Sequence, residues 1–342
     1  MDSAEELVAM VADCRVAERR IAIMGHGSKP RRVAWGHETG VEELSTRAHS
    51  GILEYRPEEL VITAQSGTPL AELADAVAAQ GQLLPFDPPR FGGEGTLGGA
   101  IASGLSGPAR PWRGSIHDAV LGVELINGLG ERLRFGGSVM KNVAGYDVSR
   151  LVVGSLGSLG VVLSASVRVL PAPAAEETVC TRCSASEADV RVRCWARRPL
   201  PITGTCYVDG TLSIRLSGGP AAIEPAKVDI AVDESGDAGI WEAVRDRAHP
   251  FFGRNDVITR LSLPRGARFD DDDALIEWGG TQAWIAGEPR SLAANVYAET
   301  FRRDGDGWTT SRPPVDGTVA KYVERVRHAF DPDGVFVGAG SG

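Results

Sequence analysis

Three stretches combine glycine with groups able to hold an anion. The first, Gly25-His26-Gly27-Ser28-Lys29, lines up backbone amides, a hydroxyl and an ammonium. The second, Gly92-Gly93-Glu94-Gly95-Thr96-Leu97-Gly98-Gly99, leads into the small-residue segment "AIASGLSG". Without Cβ atoms in the way, successive N–H groups can converge on a phosphate as a nest. Either loop alone reads as a turn; the pair predicts a dinucleotide held along its pyrophosphate. The third stretch, "KNVAGYDVSRLVVGSLGSLGVV", sets Lys141, Asn142, Tyr146 and Asp147 ahead of an apolar run broken by Gly154, Gly157 and Gly160. Asp147 suits the N-cap of a short helix "VSRLVV" and equally a cofactor contact, and both can hold at once. Tyr146 also reads as a half-buried aromatic, and Lys141 as a solvated charge.

Other chemistries fit less well. "GEGTLG" matches G-x-G-x-x-G by letter, but "PFDPPRF" precedes it where a dinucleotide fold needs a strand. Asp118, near the offset of a ribose-binding acid, comes before the strand "AVLGVELI" rather than after it. "GHGSKP" lacks the third glycine, places Pro30 where a helix should begin and is no Walker A loop. The five cysteines (Cys14, Cys180, Cys183, Cys194, Cys206) form no disulfide framework. In "VCTRCS", residues three apart on a strand point to opposite faces, so Cys180 and Cys183 read as isolated thiols. The six histidines show no helical H-x-x-x-H pair, and no metal site is expected.

The elements that must position these loops follow from the pattern. Ser3 and Glu6 read as a capping box opening an N-terminal helix. The apolar strand Ile21 to Met24 then runs into the first glycine loop. "SGILEY" and "ELVITA" read as strands. Thr68 is a candidate N-cap, with Pro69 at the first position of the helix "LAELADAVAAQ" and Gly81 as its stop. "AVLGVELINGLGERLRFGG" predicts a hairpin turning at Asn127-Gly128-Leu129-Gly130. Val161, Leu163, Ala165, Val167 and Val169 are expected on one face of a half-buried strand, with Ser164, Ser166 and Arg168 opposite.

"PAPAAEE", from Pro171 to Glu177, marks a boundary. Beyond it, strands are expected at 203–208, 212–216, 257–263 and 282–285, with a helix near 240–248. The amphipathic helix "TVAKYVERVRHAF" and the turn "DPDG" close the chain. A length of 342 residues suits about two domains. Hydrophobic residues at 43% can bury sizeable cores, and a net charge of −9 without like-charge blocks argues against nucleic acid and anionic membrane surfaces. No run reaches the roughly 20 apolar residues of a membrane span. The N-terminus has no signal-peptide pattern. The expected compartment is the cytoplasm, with any attachment at the inner face of the membrane peripheral and through partners.

The ordered set resembles one family. It comprises G-x-G-S-K after a strand, "TAQSGTPLAELADAVAAQGQLLPFDPP", "GTLGGAIASGLSGP", "VLGVELINGLGERLRFGG", "VMKNVAGYDVSRLVVGSLGSLGVV" and a final "FDPDGVF". It is similar to the flavoproteins of vanillyl-alcohol oxidase and p-cresol methylhydroxylase type and, within them, to the smaller FAD-binding subunits of bacterial glycolate oxidase. The resemblance is dense over the first half, weak in the middle and present again at the C-terminal helix. It implies an α+β chain: a two-subdomain FAD-binding fold over residues 1–173, an α+β cap domain over 174–312, and a C-terminal helix and tail, 313–342, returning to the FAD domain.

By the same resemblance, Gly25, Gly27, Ser28 and Lys29 meet the pyrophosphate, while Thr96, Gly98, Gly99, Ser103 and Gly104 line the flavin and its ribityl chain. Gly157 and Gly160 let the cofactor lie against backbone, with main-chain contacts from Val161 or Val162. Asn142, Tyr146 and Asp147 stand near the cofactor. Lys141, Tyr146 and Asp147 are weak catalytic candidates, and no convincing base is identified. FAD is expected to be non-covalent. The implied partners are a larger FAD-binding subunit and an iron–sulfur subunit, with a small 2-hydroxy acid as substrate. The alternatives are a stand-alone FAD-dependent alcohol or 2-hydroxy-acid oxidoreductase and a flavin-free scaffold. The family's Asn-Pro-Gly after the last turn is absent here, where Phe336-Val337-Gly338 stands instead.

Overall fold

The computed structural model describes residues 3–29, 31–32, 40–91, 93–137, 147–231, 234–289, 291–293, 295–305, 307–311 and 315–337. The chain divides into two compact units. One comprises Met1–Leu105, Ser115–Pro171 and Pro314–Gly342; the other comprises Ser106–Gly114 and Ala172–Pro313. The segment 106–114, expected within the first domain, belongs to the second unit.

The first unit has two cores. In one, helix α1 (Ser3–Val16) buries Ala4, Leu7, Val11 and Cys14, a helical spacing. They pack with Ile21 of β1 (Arg20–Met24) and Leu44 of β2 (Val41–Ser45), which pair in parallel. Ser3 lies inside this helix, and its hydroxyl stands 2.7 Å from His49 Nδ1. The expected N-cap thus serves a contact 46 residues away.

The other core lies on an antiparallel sheet of order β3-β4-β7-β5-β6. These strands are β3 (Ile52–Arg56), β4 (Val61–Gln65), β5 (Val120–Ile126), β6 (Arg132–Gly136) and β7 (Val161–Arg168). Helices α2 (Leu70–Ala78) and α3 (Leu97–Ser103) cover it with Leu70, Leu73, Val77, Leu97 and Ile101. Thr68 does not cap α2. Its hydroxyl accepts from the Gly51 amide at 2.9 Å and donates to the Gly51 carbonyl at 3.1 Å, while Pro69 is the capping residue. The β5–β6 turn is held by Asn127, whose Oδ1 accepts from the amides of Leu129 (3.0 Å) and Glu131 (2.9 Å).

Strand β7 departs from the expected two-residue alternation. Against β5, Ser164 pairs with Glu124 but Val162 pairs with Leu125, so Leu163 is an extra residue, a bulge. The bulge inverts the faces on either side of it. Val161 and Leu163 enter the α1 core, whereas Val162, Ala165, Val167 and Val169 enter the sheet core. One strand therefore serves both cores of the first unit.

The C-terminal helix Gly317–Phe330 leads back into this unit. Buried Asp331 accepts the Val335 and Phe336 amides, each at 2.8 Å, on its two carboxylate oxygens. Phe336 then bridges Ile21 in parallel, with the Ile21 amide donating to the Val335 carbonyl at 2.7 Å.

The second unit is built on a long antiparallel sheet. Its strands run Ala175–Arg182, Thr211–Gly218, Ile202–Val208, Leu275–Glu277, Gln282–Ala286, Val257–Ser262, Tyr297–Asp304 and Gly307–Ser311 in spatial order. Alternation sorts their side chains. Tyr207, Ile276 and Ala283 join helices Ala185–Trp195 and Pro220–Ile230 in one core. Cys206, Leu275 and Trp284 join Trp241, Phe251, Phe252 and Phe301 in the other.

Candidate cofactor site

The fold brings the first two glycine loops together within the first unit. Strand β1 ends at Met24 and delivers Gly25 to Thr96, the N-cap of α3. A methyl carbon built on Gly25 would lie 2.5 Å from Thr96 Oγ1, so only glycine fits at this approach. One on Gly99 would lie 3.5 Å from Lys29 Nζ, and one on Gly95 would lie 3.4 Å from the same nitrogen. Ser28 borders Gly93 in the same way, at 3.5 Å, and His26 Nδ1 stands 3.8 Å from Glu94 Oε2. Gly95 was not singled out from the sequence, although it stands inside the second loop.

Each first-turn amide of α3 already has an acceptor. The Leu97 amide donates to Thr68 O (3.0 Å), Gly98 to Ser66 O (2.8 Å) and Gly99 to Thr96 Oγ1 (3.1 Å). The first loop differs: among the described residues, the amides of His26, Gly27 and Ser28 donate no hydrogen bond. These unused donors, with the Ser28 hydroxyl and the Lys29 ammonium beside Gly95 and Gly99, fit a diphosphate in charge and donor type. The Ser66 hydroxyl is buried without a partner among the described residues, directly under Gly98. The sequence carried no signal for it beyond a Ser in a Gly–Thr turn.

At the other end of α3, the Ser103 hydroxyl donates to Ala100 O at 3.2 Å and Gly104 closes the helix with φ +64°. The Gly154 amide donates to Ile101 O and the Leu156 amide to Ala102 O, both at 2.9 Å, which lays 154–156 along that end. Gly157 and Gly160 have reasons internal to the chain. Their φ values are +81° and +144°, and a methyl on Gly160 would meet Ile126 O at 2.4 Å. Both side chains of Val161 and Val162 are buried. Asp147 caps a one-turn helix, Val148–Leu151, by accepting the Arg150 amide at 3.2 Å, and pairs with the Arg150 guanidinium at 3.1 Å. Lys141, Asn142 and Tyr146 lie outside the described residues. Among the described residues no three His, Cys, Asp or Glu side chains gather as a metal site, and no helix is long and apolar enough to cross a membrane.

A family model described as an FAD binding domain matches residues 1–154, the stretch that carries both glycine loops. A solved alkyldihydroxyacetonephosphate synthase shares the fold with a TM-score of 0.68 at 16% identity, over 98% of this chain and 75% of that one. The first unit is thus an FAD-binding domain of the p-cresol methylhydroxylase type in an α+β chain, and the cofactor is FAD. The chain is 40% identical to glycolate oxidase subunit GlcE of Escherichia coli (strain K12), over 98% of its own length and 96% of the relative's. It belongs to the family of that subunit. It is also 33% identical to glycolate oxidase subunit GlcD of Bacillus subtilis (strain 168), over 51% of this chain and 37% of that protein. A D-lactate dehydrogenase of Anaerostipes hadrus is 32% identical over 50% of the chain and 35% of its own length.

Proposed function

We propose that this chain is the FAD-binding subunit of a glycolate oxidase complex that oxidises glycolate or D-lactate to the 2-oxo acid. The observation that carries the reading is the 40% identity to GlcE over 98% of the chain. Bound FAD supplies a two-electron acceptor for oxidation of the CH–OH group.

The chain's own residues bind and orient the cofactor. The amides of His26, Gly27 and Ser28 meet the pyrophosphate, and Lys29 offsets its charge. The α3 segment from Thr96 to Gly104, capped by Thr96 and fixed by Ser66 and Thr68 through backbone hydrogen bonds, holds the flavin side. The subunit acts beside a larger FAD-binding subunit and an iron–sulfur subunit that carries electrons onward. It relays electrons or supports assembly, and the main catalytic site lies in the larger subunit. Any contact with the membrane is peripheral and made through those partners.

The test is purification of the full chain, flavin counting and anaerobic addition of glycolate. Non-covalent FAD released by acid, at one per chain, is the expected result, with no bleaching until the partner subunits are added. Failure to take up FAD under any loading condition would remove the cofactor assignment for this chain. Bleaching by glycolate in the isolated chain would overturn the relay role. Lys29→Met should weaken FAD binding by about tenfold and flatten its salt dependence, because one charge-assisted contact is lost.

A further inference from the structure

Two helices of 14 residues belong to the first unit, and the fold uses them in opposite ways. Helix α1 buries four side chains. The C-terminal helix Gly317–Phe330 buries none. Yet its apolar residues Val319, Tyr322, Val323, Val326 and Phe330 recur three and four apart and so share one face. The row is covered at its C-terminal end, where Phe330 packs on the sheet core with its ring 6.0 Å from that of Phe135 in β6. Toward the N-terminus it opens to solvent: Val319 is 49% exposed, Tyr322 61% and Val323 46%.

Both ends of this helix are satisfied. Asp316 accepts the Thr318 amide at 2.9 Å, and the Asp331 amide donates to the Arg327 carbonyl at 2.7 Å. A capped helix of this length gains most of its stability by packing its apolar face. Single exposed hydrophobics need no explanation, but a contiguous row marks an interaction site.

Charge decides what fits against the row. Lys321 and Arg325 lie one turn apart on one flank, both exposed. Among the described residues neither pairs with a carboxylate; Arg325 lies over the Tyr322 ring at 5.9 Å. On the other flank Arg327 pairs with Glu324 at 3.6 Å. A second copy of the chain fits poorly. A two-fold axis that sets the helices antiparallel brings each flank against itself, so Arg325 meets its own copy. A two-fold axis along the helices brings opposite flanks together, so Arg325 meets Arg327. Either way a cation faces a cation, which opposes association. A lipid surface also fits poorly, because the exposed row carries no Trp, Phe or Leu and the chain has a net charge of −9.

We propose that the exposed half of this helix is the docking surface for another polypeptide subunit, one that offers an apolar groove with carboxylates along the rim that meets Lys321 and Arg325. The proposal rests on the multi-subunit reading given above. Tyr322, backed by Arg325, is its central contact, as fits the residue types that dominate binding energy in interfaces.

The experiment uses the full chain, with the purified larger flavoprotein subunit and iron–sulfur subunit of the same complex as probes. Parent, Tyr322→Ala, Val323→Asp and Arg325→Glu are titrated against each probe, and bound FAD and melting temperature are read on each isolated chain. Affinity for one of the two subunits should fall about thirtyfold in Tyr322→Ala and about tenfold in Val323→Asp. Arg325→Glu should lower it about tenfold and remove most of the salt dependence of the association rate. FAD content and melting should stay parental in all three, because the side chains are exposed. Parental affinity in all three variants overturns the docking surface while leaving the multi-subunit reading intact. Affinity and melting falling together in Tyr322→Ala and Arg325→Glu also overturns it, because that pattern marks a structural role for the helix. So does a dimer of the isolated chain that the variants convert to monomer, which makes the occupant a second copy. Binding to phosphatidylcholine vesicles with about one quarter phosphatidylglycerol, abolished by the variants, makes it a lipid surface and overturns the proposal too. A parent chain that binds neither subunit defeats the multi-subunit reading itself, and the proposal with it.

Discussion

Gly25→Ala tests whether the two glycine loops truly abut. The added methyl would lie 2.5 Å from Thr96 Oγ1, well inside contact distance, whereas Thr96 Cγ2 and Cβ would stand at 3.4 and 3.5 Å. The hydroxyl alone is the obstacle, and it must move. Moving it breaks the cap that accepts the Gly99 amide at 3.1 Å. A lost cap costs about 1 kcal/mol, and overpacking adds roughly 1–3 kcal/mol. The single variant should therefore lose about 2–4 kcal/mol, a fall in melting temperature of roughly 5–12 °C for a unit of this size. Thr96→Ala alone should lose only the cap, about 1 kcal/mol. In the double variant the new methyl meets no hydroxyl, so adding Gly25→Ala to Thr96→Ala should change stability by less than about 0.5 kcal/mol. Thermal and urea unfolding of the four apoproteins closes the cycle. Additive costs, or a Gly25→Ala protein that melts with the parent, would refute the packing of Gly25 on Thr96.

Gly160→Ala should be worse than any of these. It combines φ +144° with a carbonyl 2.4 Å from the new methyl, and a loss of at least about 3 kcal/mol should appear as a large drop in urea midpoint. Asp331→Ala removes both acceptors of the Val335 and Phe336 amides; a loss of about 2–3 kcal/mol is expected, with faster hydrogen exchange at Ile21, Val335 and Phe336. Glu176 bears on acid stability. Burial raises its pKa, but the Ser217 hydroxyl, Arg215 and Arg113 together outweigh that and hold it below the ordinary glutamate value. A depressed folded pKa gives stability that is complete above the ordinary value and lost as pH falls through the folded one. Glu176→Gln should flatten that acid limb in urea midpoints taken from pH 6 to pH 3, and an unchanged limb would contradict the pairing with Arg113.

Local chemistry was readable where partners are close in sequence. The β5–β6 turn is an example, because Asn127 needs only amides two and four residues on. The helix at Ala185–Trp195 carries its own signal, a Ser184–Glu187 capping box, which went unread beside a polar composition. Long-range decisions left no such trace. Thr68 looks like a cap until Gly51, 17 residues earlier, takes its hydroxyl. The face inversion at Leu163 depends on how β7 pairs with β5, some 40 residues upstream, and no window on β7 alone contains it. Gly160 resembles a ligand-facing glycine in sequence, yet the group that requires it is the Ile126 carbonyl. The pairing of the two glycine loops, by contrast, was expected from their shared chemistry; the structure adds that Thr96 and Lys29 are where they meet.

The tail that Asp331 folds back onto Ile21 sets an order of events during synthesis. The α1 core is closed by Val335 and Phe336, so α1 and β1 cannot complete it until residues 335–336 are made. The second unit ends at Pro313, so its parts are made earlier. On the ribosome the usual N-to-C sequence of domain completion is therefore inverted. The cofactor-binding unit is completed after the second unit, and a truncation or fusion across residues 331–337 would leave the α1 core open.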